Sequence, residues 1–328
     1  MNDERRVVLV TGASGFVGRH LVPALAGDGW VVRRGVRKPS GREGEVVVES
    51  IGATTDWQHA LAGVDAVVHL AAHVHHPHEE RAVEVYRNVN IEGTVHLANS
   101  ALNAGVRHFV FVSTILVHGR SNDGRAPFRE DDDLMPRGFY GMSKAAAEAG
   151  LKTLAQGAEM SVTIIRPPLI YGSGAKGNFA LLEKAVELGI PLPFAGIDNR
   201  RAFLAVDNLS SFVLHRLSRG DGKFEVFLLA DEEQVSTPEF ITRLAHAAGG
   251  SSRLFRIPRP LLSALLRISG RKEVNDSLLG SLELDLSKAT ATGWRPPITL
   301  DEGLRRALRE PDHRPIENLS GSGLRSPK

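Results

Sequence analysis

VVLVTGASGFVG, residues 7–18, decides how the rest of the chain is read. Val7 to Val10 is a run of β-branched and apolar residues, the pattern of a strand buried on both faces. It leads into Gly12, Gly15 and Gly18, with Ser14 before the second glycine and Phe16 and Val17 before the third. A helix is expected from about 15 to 25. Strand, glycine turn and helix in that order form the context in which a glycine pattern marks a dinucleotide site. Gly12 permits the turn, Gly15 lets backbone N–H groups approach a pyrophosphate, and Gly18 lets helix and strand pack closely. The free N–H groups and the positive end of the helix dipole then face the phosphates.

Outward from this stretch, strands and helices alternate. Strands are expected at 30–36, 45–50, 65–70, 108–113 and 161–166, and helices at 56–61, 83–103 and 139–158. Such alternation implies right-handed crossovers and an α/β, Rossmann-type, doubly wound parallel sheet, with ligands beyond the C-terminal ends of its strands. From Pro167 the rhythm changes to paired prolines and a glycine-rich YGSGAKGN. Helices are expected at 179–188 and 207–218, then a late strand at 224–229. The remainder, 236–308, reads as mostly helical. The expected organisation is a dinucleotide-binding domain at 1–170, which 203–232 rejoins. Residues 171–202 and 233–310 form a smaller, mostly helical substrate lobe, and 311–328, rich in proline, serine and charge, form a disordered tail. There is no internal repeat.

The 328 residues carry 40 Lys and Arg against 38 Asp and Glu, a net charge of +2, so no polycationic surface for nucleic acid is implied. Apolar residues at 42% and charged ones at 24% are ordinary for a globular protein. The absence of cysteine excludes disulfides, thiolate metal sites and a cysteine nucleophile. No apolar core follows MNDERR, and no apolar run reaches ~20 residues, so neither a signal peptide nor a membrane span is expected and the cytoplasm is the expected compartment.

Tyr140 and Lys144 stand four apart at the start of a helix, so both project from one face. An ammonium beside a phenol favours the phenolate, and such a tyrosine can exchange a proton with a substrate hydroxyl or carbonyl. Thr114, at the C-terminal end of the fifth strand, can donate a hydrogen bond to a developing alkoxide. The second strand ends in Val36 and Arg37, where NAD enzymes usually carry a carboxylate for the ribose hydroxyls. A missing acid beside Arg37 and Lys38 suits a 2′-phosphate, so NADP(H) stands level with NAD; Arg33 and Arg34 extend this basic edge. His73, His75, His76 and His78 cluster without partners at a metal spacing, and no metal is expected. Residues 130–133 read as a solvated acidic turn.

TGASGFVG, HLAA at 69–72, NVNIEGT at 88–94, FVSTILVHG at 111–119, YGMSK at 140–144 and RPPLIYG at 166–172 occur in order. With these six motifs the chain closely resembles the extended short-chain dehydrogenases/reductases, the NAD-dependent epimerase/dehydratase group, from about residue 6 to 308. The resemblance makes Tyr140 the general acid/base, Lys144 the group that binds the nicotinamide ribose and holds the phenol pKa down, and Thr114 the orienter of the substrate oxygen, with Ser113 beside it. Asn90 would support the cofactor side, Leu70, Ala71 and Ala72 would line the cofactor, and the Pro168 to Ile170 loop would meet the nicotinamide carboxamide, with Pro167 and Leu169 as cofactor contacts. Asn178 and Arg201 resemble residues that hold a sugar-nucleotide diphosphate, and His118 falls near the expected sugar pocket. Ile115 and Leu116 replace the acidic pair of dehydratases, which argues against dehydration. The implied activity is redox chemistry at C4 of a nucleoside-diphosphate hexose, with UDP as the base-bearing group. A 4-epimerase is slightly preferred, and an NADPH-dependent 4-ketoreductase is the alternative. More remote alternatives are a reductase of an apolar ketone and a non-catalytic NAD(P) sensor. The small residues at 141–150 admit close helix approach, and a homodimer is the expected assembly.

Overall fold

The computed structural model describes residues 6–74, 82–219, 222–268 and 279–309. Among them a parallel sheet runs in the order β3-β2-β1-β4-β5-β6-β9. Its strands are β1 (Val7–Thr11), β2 (Val31–Val36), β3 (Glu45–Val47), β4 (Ala66–His69), β5 (His108–Val112), β6 (Ser161–Arg166) and β9 (Phe224–Leu228). β4 and β5 are buried at every position, as strands covered by helices on both faces must be. Side chains alternate across β1: Val8 and Val10 pack with Leu21, Leu25, Val68 and Phe212, while Leu9 packs with Val67, Phe109, Leu151 and Ile164 on the other face.

The first face is covered by α1 (Phe16–Gly27) and α7 (Val206–Ser218), which touch each other. Trp294 closes this layer, its ring edge-on to Phe212 and its indole N–H donating to Ser211 Oγ at 3.1 Å. The second face carries α2 (Gln58–Leu61), α4 (Gly93–Asn103) and α5 (Gly138–Ala155). The helix expected at 83–103 is not uniform. It begins as α3 (Ala82–Val85), widens into a π-helical stretch over Tyr86–Glu92, and continues as α4. A π-helical turn inside a helix re-aims the side chains it carries, and here it carries Asn90.

A second sheet pairs β7 (Leu169–Tyr171) with β8 (Phe203–Ala205), also in parallel. With α6 (Asn178–Glu187), α8 (Thr237–Ala247) and α11 (Leu300–Ala307) it builds a separate core of Tyr171, Phe179, Phe203, Phe240, Leu244 and Leu304. α9 (Arg259–Ile268) and α10 (Ser287–Ala291) complete the described helices. Asp231 joins the two sheets: its buried carboxylate accepts from Tyr171 Oη at 2.7 Å, Ala205 N at 2.9 Å and Asn208 Nδ2 at 2.7 Å. The acidic stretch at 130–133 is not simply solvated. Glu130 is half-buried because its carboxylate accepts from Leu228 N at 2.9 Å, satisfying a donor at the end of β9. The expected tail lies outside the described residues, as do His75, His76 and His78. No helix among the described residues is long and apolar enough to cross a membrane.

Candidate active site

Strand order reverses between β1 and β4, and a crevice of about 740 Å³ opens at the C-terminal ends of these strands. Its floor is the glycine turn: Gly12, Ser14, Gly15, Phe16, Val17 and Gly18 all line it. Gly12 has φ +71, and a Cβ there would come within 2.9 Å of Ala71 N on the loop after β4. Gly15 N donates to Gly12 O at 2.9 Å and closes the turn. α1 then starts with no side-chain cap and no acidic residue in its first turn, so its open N–H groups face the crevice. A glycine cradle, an uncapped helix start and a cleft of this size fit a dinucleotide.

At one end the wall is Gly35, Val36, Arg37, Val48, Ile51 and Trp57. Arg37 is the crevice cation here. The neighbouring arginines diverge because side chains alternate along β2. Arg33 Nη1 donates to Ala60 O at 2.8 Å and Ala62 O at 2.9 Å, closing the end of α2, and takes no part in the crevice. Arg34 and Lys38, with Arg19 and Arg42, line an adjoining cleft of about 330 Å³ that shares Ser14 with the main one.

At the other end stand Leu70, Ala71, Ala72, His73, Val74, Val89, Ser113, Tyr140, Lys144, Ile170 and Lys176. α5 presents Tyr140 and Lys144 on one face, and the Lys144 ammonium lies 5.9 Å from the Tyr140 ring centroid and 4.3 Å from that of Phe111. Lys144 Nζ donates to Val112 O at 2.9 Å, pinning the helix to the end of β5. Burial pushes the Lys144 pKa down to about 7, against the opposing field of Glu148. Tyr140 departs from the expectation that its neighbour lowers it: burial and Tyr86 push the phenol up to about 12.

Asn90 stands behind this wall and does not line the crevice. Its Nδ2 donates to Ser143 Oγ and His73 O, both at 3.0 Å, and its Oδ1 accepts from His73 N at 2.7 Å. It thus ties the loop after β4 to α5. Of the loop expected at the nicotinamide, Ile170 faces the crevice and Leu169 does not: the two alternate along β7, and Leu169 turns into the second core. Pro167 likewise stays out of the crevice, its carbonyl accepting from Ile115 N at 2.9 Å. Thr114 is buried at the end of β5, where its Oγ1 accepts from Leu116 N at 3.3 Å and caps a short 3₁₀ turn.

Thr114 is not part of the crevice lining, and the three other expected substrate contacts also lie away from it. His118 is buried, stacked on Phe128, with Nε2 2.8 Å from Arg166 Nη1; burial and the Arg166 charge push its pKa down to about 4. Asn178 is exposed at the start of α6. Arg201 is 7% exposed, and its Nη1 donates to Gly280 O at 2.5 Å. Sequence reasoning passed over His69, although the HLAA motif contains it. Fully buried, it bonds Thr11 Oγ1 at 2.6 Å through Nδ1 and Thr94 Oγ1 at 3.0 Å through Nε2. Burial, then the Lys144 charge, push its pKa down to about 3. Lys176 was also missed, since nothing local marks a glycine-flanked lysine as a crevice residue. No group of three metal-ligating side chains occurs among the described residues.

The profile of the NAD dependent epimerase/dehydratase family matches residues 8–230. A UDP-glucose 4-epimerase of Vibrio cholerae is 37% identical over 309 residues, 92% of this chain and 94% of that protein. The ceramide reductase of Caulobacter vibrioides is 31% identical over 265 residues, 79% of this chain and 75% of the relative. Among solved structures, MoeE5 in complex with UDP-glucose and NAD superposes with a TM-score of 0.71 at 26% identity, covering 92% of this chain and 96% of that one.

Proposed function

The chain belongs to the NAD-dependent epimerase/dehydratase family, and from that premise we propose that it interconverts the C4 epimers of a UDP-hexose. The observation that carries this reading is that Tyr140 and Lys144 open from one helix face into the same crevice as the glycine turn. The likeness to a UDP-glucose 4-epimerase over nearly the whole chain supports the substrate class.

In this reading Gly12 to Gly18 and the start of α1 hold the dinucleotide pyrophosphate, and Leu70 to Ala72 with Val89 and Ile170 form its apolar walls. A bound nicotinamide supplies the two-electron acceptor for the C4 carbinol. Tyr140 accepts the C4 hydroxyl proton through Oη as the ketone forms and returns it when the ketone is reduced on its other face. The Lys144 ammonium favours the phenolate form that this transfer needs. Thr114, buried at the end of β5 next to the crevice-lining Ser113, supplies the hydroxyl that donates to the sugar oxygen, and Lys176, in the lining, adds a positive charge on the substrate-lobe side. Ile115 and Leu116 cannot exchange protons with the sugar, so dehydration is not part of the reading.

A second reading, NADPH-dependent reduction of a UDP-4-ketohexose, is favoured by one feature. Val36 and Arg37 occupy the end of β2, and Arg34, Lys38 and Arg42 line the cleft beside it, a setting suited to a 2′-phosphate. One experiment separates the two. Purified protein is denatured, the released nucleotide identified, and fresh protein incubated with UDP-glucose. Retained NAD and formation of UDP-galactose are expected. An empty protein that binds NADPH tightly and leaves UDP-glucose untouched would favour the reductase.

A further inference from the structure

Behind the face that carries Tyr140 and Lys144 runs a chain of buried polar groups. Ser113 Oγ donates a short hydrogen bond to Glu148 Oε1. Glu148 stands one helical turn beyond Lys144, on the same side of α5. Arg166, at the end of β6, grips its carboxylate: Nη2 donates to Oε2 at 2.7 Å, and Nε lies 3.1 Å and 3.2 Å from the two oxygens. Arg166 Nη1 completes the chain at 2.8 Å from His118 Nε2 and 3.0 Å from Glu130 O. Ser113, Glu148, Arg166 and His118 are each no more than 5% exposed.

An ion pair in such a place is a poor source of stability, because desolvating both charges offsets their attraction and an apolar pair of similar volume folds as well. A role beyond folding is therefore worth locating, and its neighbour is Lys144. The charged and titratable groups around the Tyr140–Lys144 pair are His69 from β4, beside Lys144, Tyr86 from the π-helical stretch, beside Tyr140, Glu148 from the same helix, and Arg166 behind Glu148. His69 is neutral and Tyr140 is a phenol. Glu148 is then the anion whose field opposes the desolvation of Lys144.

We propose that Glu148 is a positioning residue for the Tyr140–Lys144 pair: clamped by Arg166 and Ser113, it keeps the Lys144 ammonium charged in a water-poor site and locks α5 to the end of β5. The inference rests on reading Lys144 as a working cation, and it concerns the charge on that lysine, not the identity of the sugar. Arg166 holds the carboxylate aimed, while Ser113 links it to the strand that delivers Thr114.

Full-length protein labelled with ¹³Cε-lysine tests this directly. The Lys144 signal is identified by its loss in Lys144→Met and titrated in the wild type and in Glu148→Gln. The midpoint is expected to fall by about one pH unit or more in Glu148→Gln, since an opposite charge at this range moves a pKa by that order. Where Glu148→Gln does not fold, the pair Glu148→Gln/Arg166→Gln, which leaves no unbalanced buried charge, is titrated instead and is expected to shift in the same direction. An unchanged midpoint in a folded variant overturns the proposal, because a merely structural ion pair would alter thermal stability and leave the lysine where it was. The readout needs no substrate. A shifted midpoint in a protein that ignores UDP-glucose would sink the epimerase reading and leave this one standing.

Discussion

A phenol pushed up to about 12 beside a lysine pushed down to about 7 is a pair set against its own charged forms. Motif spacing makes Tyr140 and Lys144 legible in the sequence, because i and i+4 share a helix face. Their protonation is not legible there. It depends on how β4, β5 and the π-helical stretch exclude water from residues far away in the chain. Two outcomes follow at this scale. Tyr140→Phe removes the proton carrier and little else, so turnover of UDP-glucose should fall by about 10²–10⁴-fold while the dissociation constant for the dinucleotide, measured by calorimetry, stays within a few-fold. Turnover retained to within tenfold would reassign the proton transfer. Lys144→Met should abolish turnover yet stabilise the protein. In the fold the lysine pKa lies below its unfolded value of 10.5, so between about pH 7 and 10.5 the unfolded chain binds more protons, and stability rises with pH through that window. The wild type should show that rise in Tm. The methionine variant should show a smaller one and a higher Tm at pH 7.

At the level of single elements, the strands and the glycine turn were readable because their signals are local. Val7–Thr11 and Ser161–Arg166 are apolar runs bounded by polar or turn residues. The π-helical widening was not readable: residues 83–103 carry an ordinary helical period, and the extra residue per turn is imposed where Asn90 bonds His73 and Ser143. Glu130 was misjudged for a similar reason, since its partner, Leu228 N, is remote in sequence. α1 offers a test of what its glycines do. A Cβ at Gly18 would collide with Gly12 O and lie 2.7 Å from Ala13 Cα, both backbone atoms that cannot swing aside, whereas a Cβ at Gly27 would meet nothing within 4 Å. Gly18→Ala should therefore push α1 off the turn, lower Tm and weaken dinucleotide binding by more than about tenfold. Gly27→Ala, at the far end of the same helix, should raise stability by about 0.5–1 kcal/mol through helix propensity alone. Opposite signs on one helix, read by thermal melts, would separate the packing demand of the turn from the general cost of glycine. Equal effects would show that the close approach at Gly18 is not limiting.

Across the whole molecule, the doubly wound sheet was legible as alternation, but its lateral order and the second sheet were not, because β7 and β8 are three residues each and carry almost no period. Nor does any local pattern announce that three histidines sit inside the fold. His69 lies in mid-sheet between Thr11 and Thr94, His108 opens β5 with its Nε2 2.9 Å from Thr163 Oγ1, and His118 stacks on Phe128 beside Arg166. Burial comes first in lowering each pKa, to about 3, 4 and 4, and the cations Lys144, Arg216 and Arg166 add to it. The sign follows from linkage. Below pH 6.5 the unfolded chain protonates these rings while the folded one does not, so the unfolded state binds more protons and stability is lost as pH falls. Each such group contributes about 1.4 kcal/mol per pH unit, and three together about 4 kcal/mol per unit between roughly pH 6 and 4.5. Asp231 and Glu183, whose carboxyls are pushed up by burial, act with the opposite sign, while Asp123, Asp285, Glu45 and Glu302, whose carboxyls are pulled down, add to the loss as pH falls. Urea unfolding at half-unit steps from pH 7 to 5 should show this fall, and His69→Gln, which keeps a hydrogen-bonding side chain between the two threonines but cannot titrate, should flatten it by about a third. A wild-type slope below about 1 kcal/mol per unit would mean that the rings accept protons inside the fold, and burial would not be what holds them neutral.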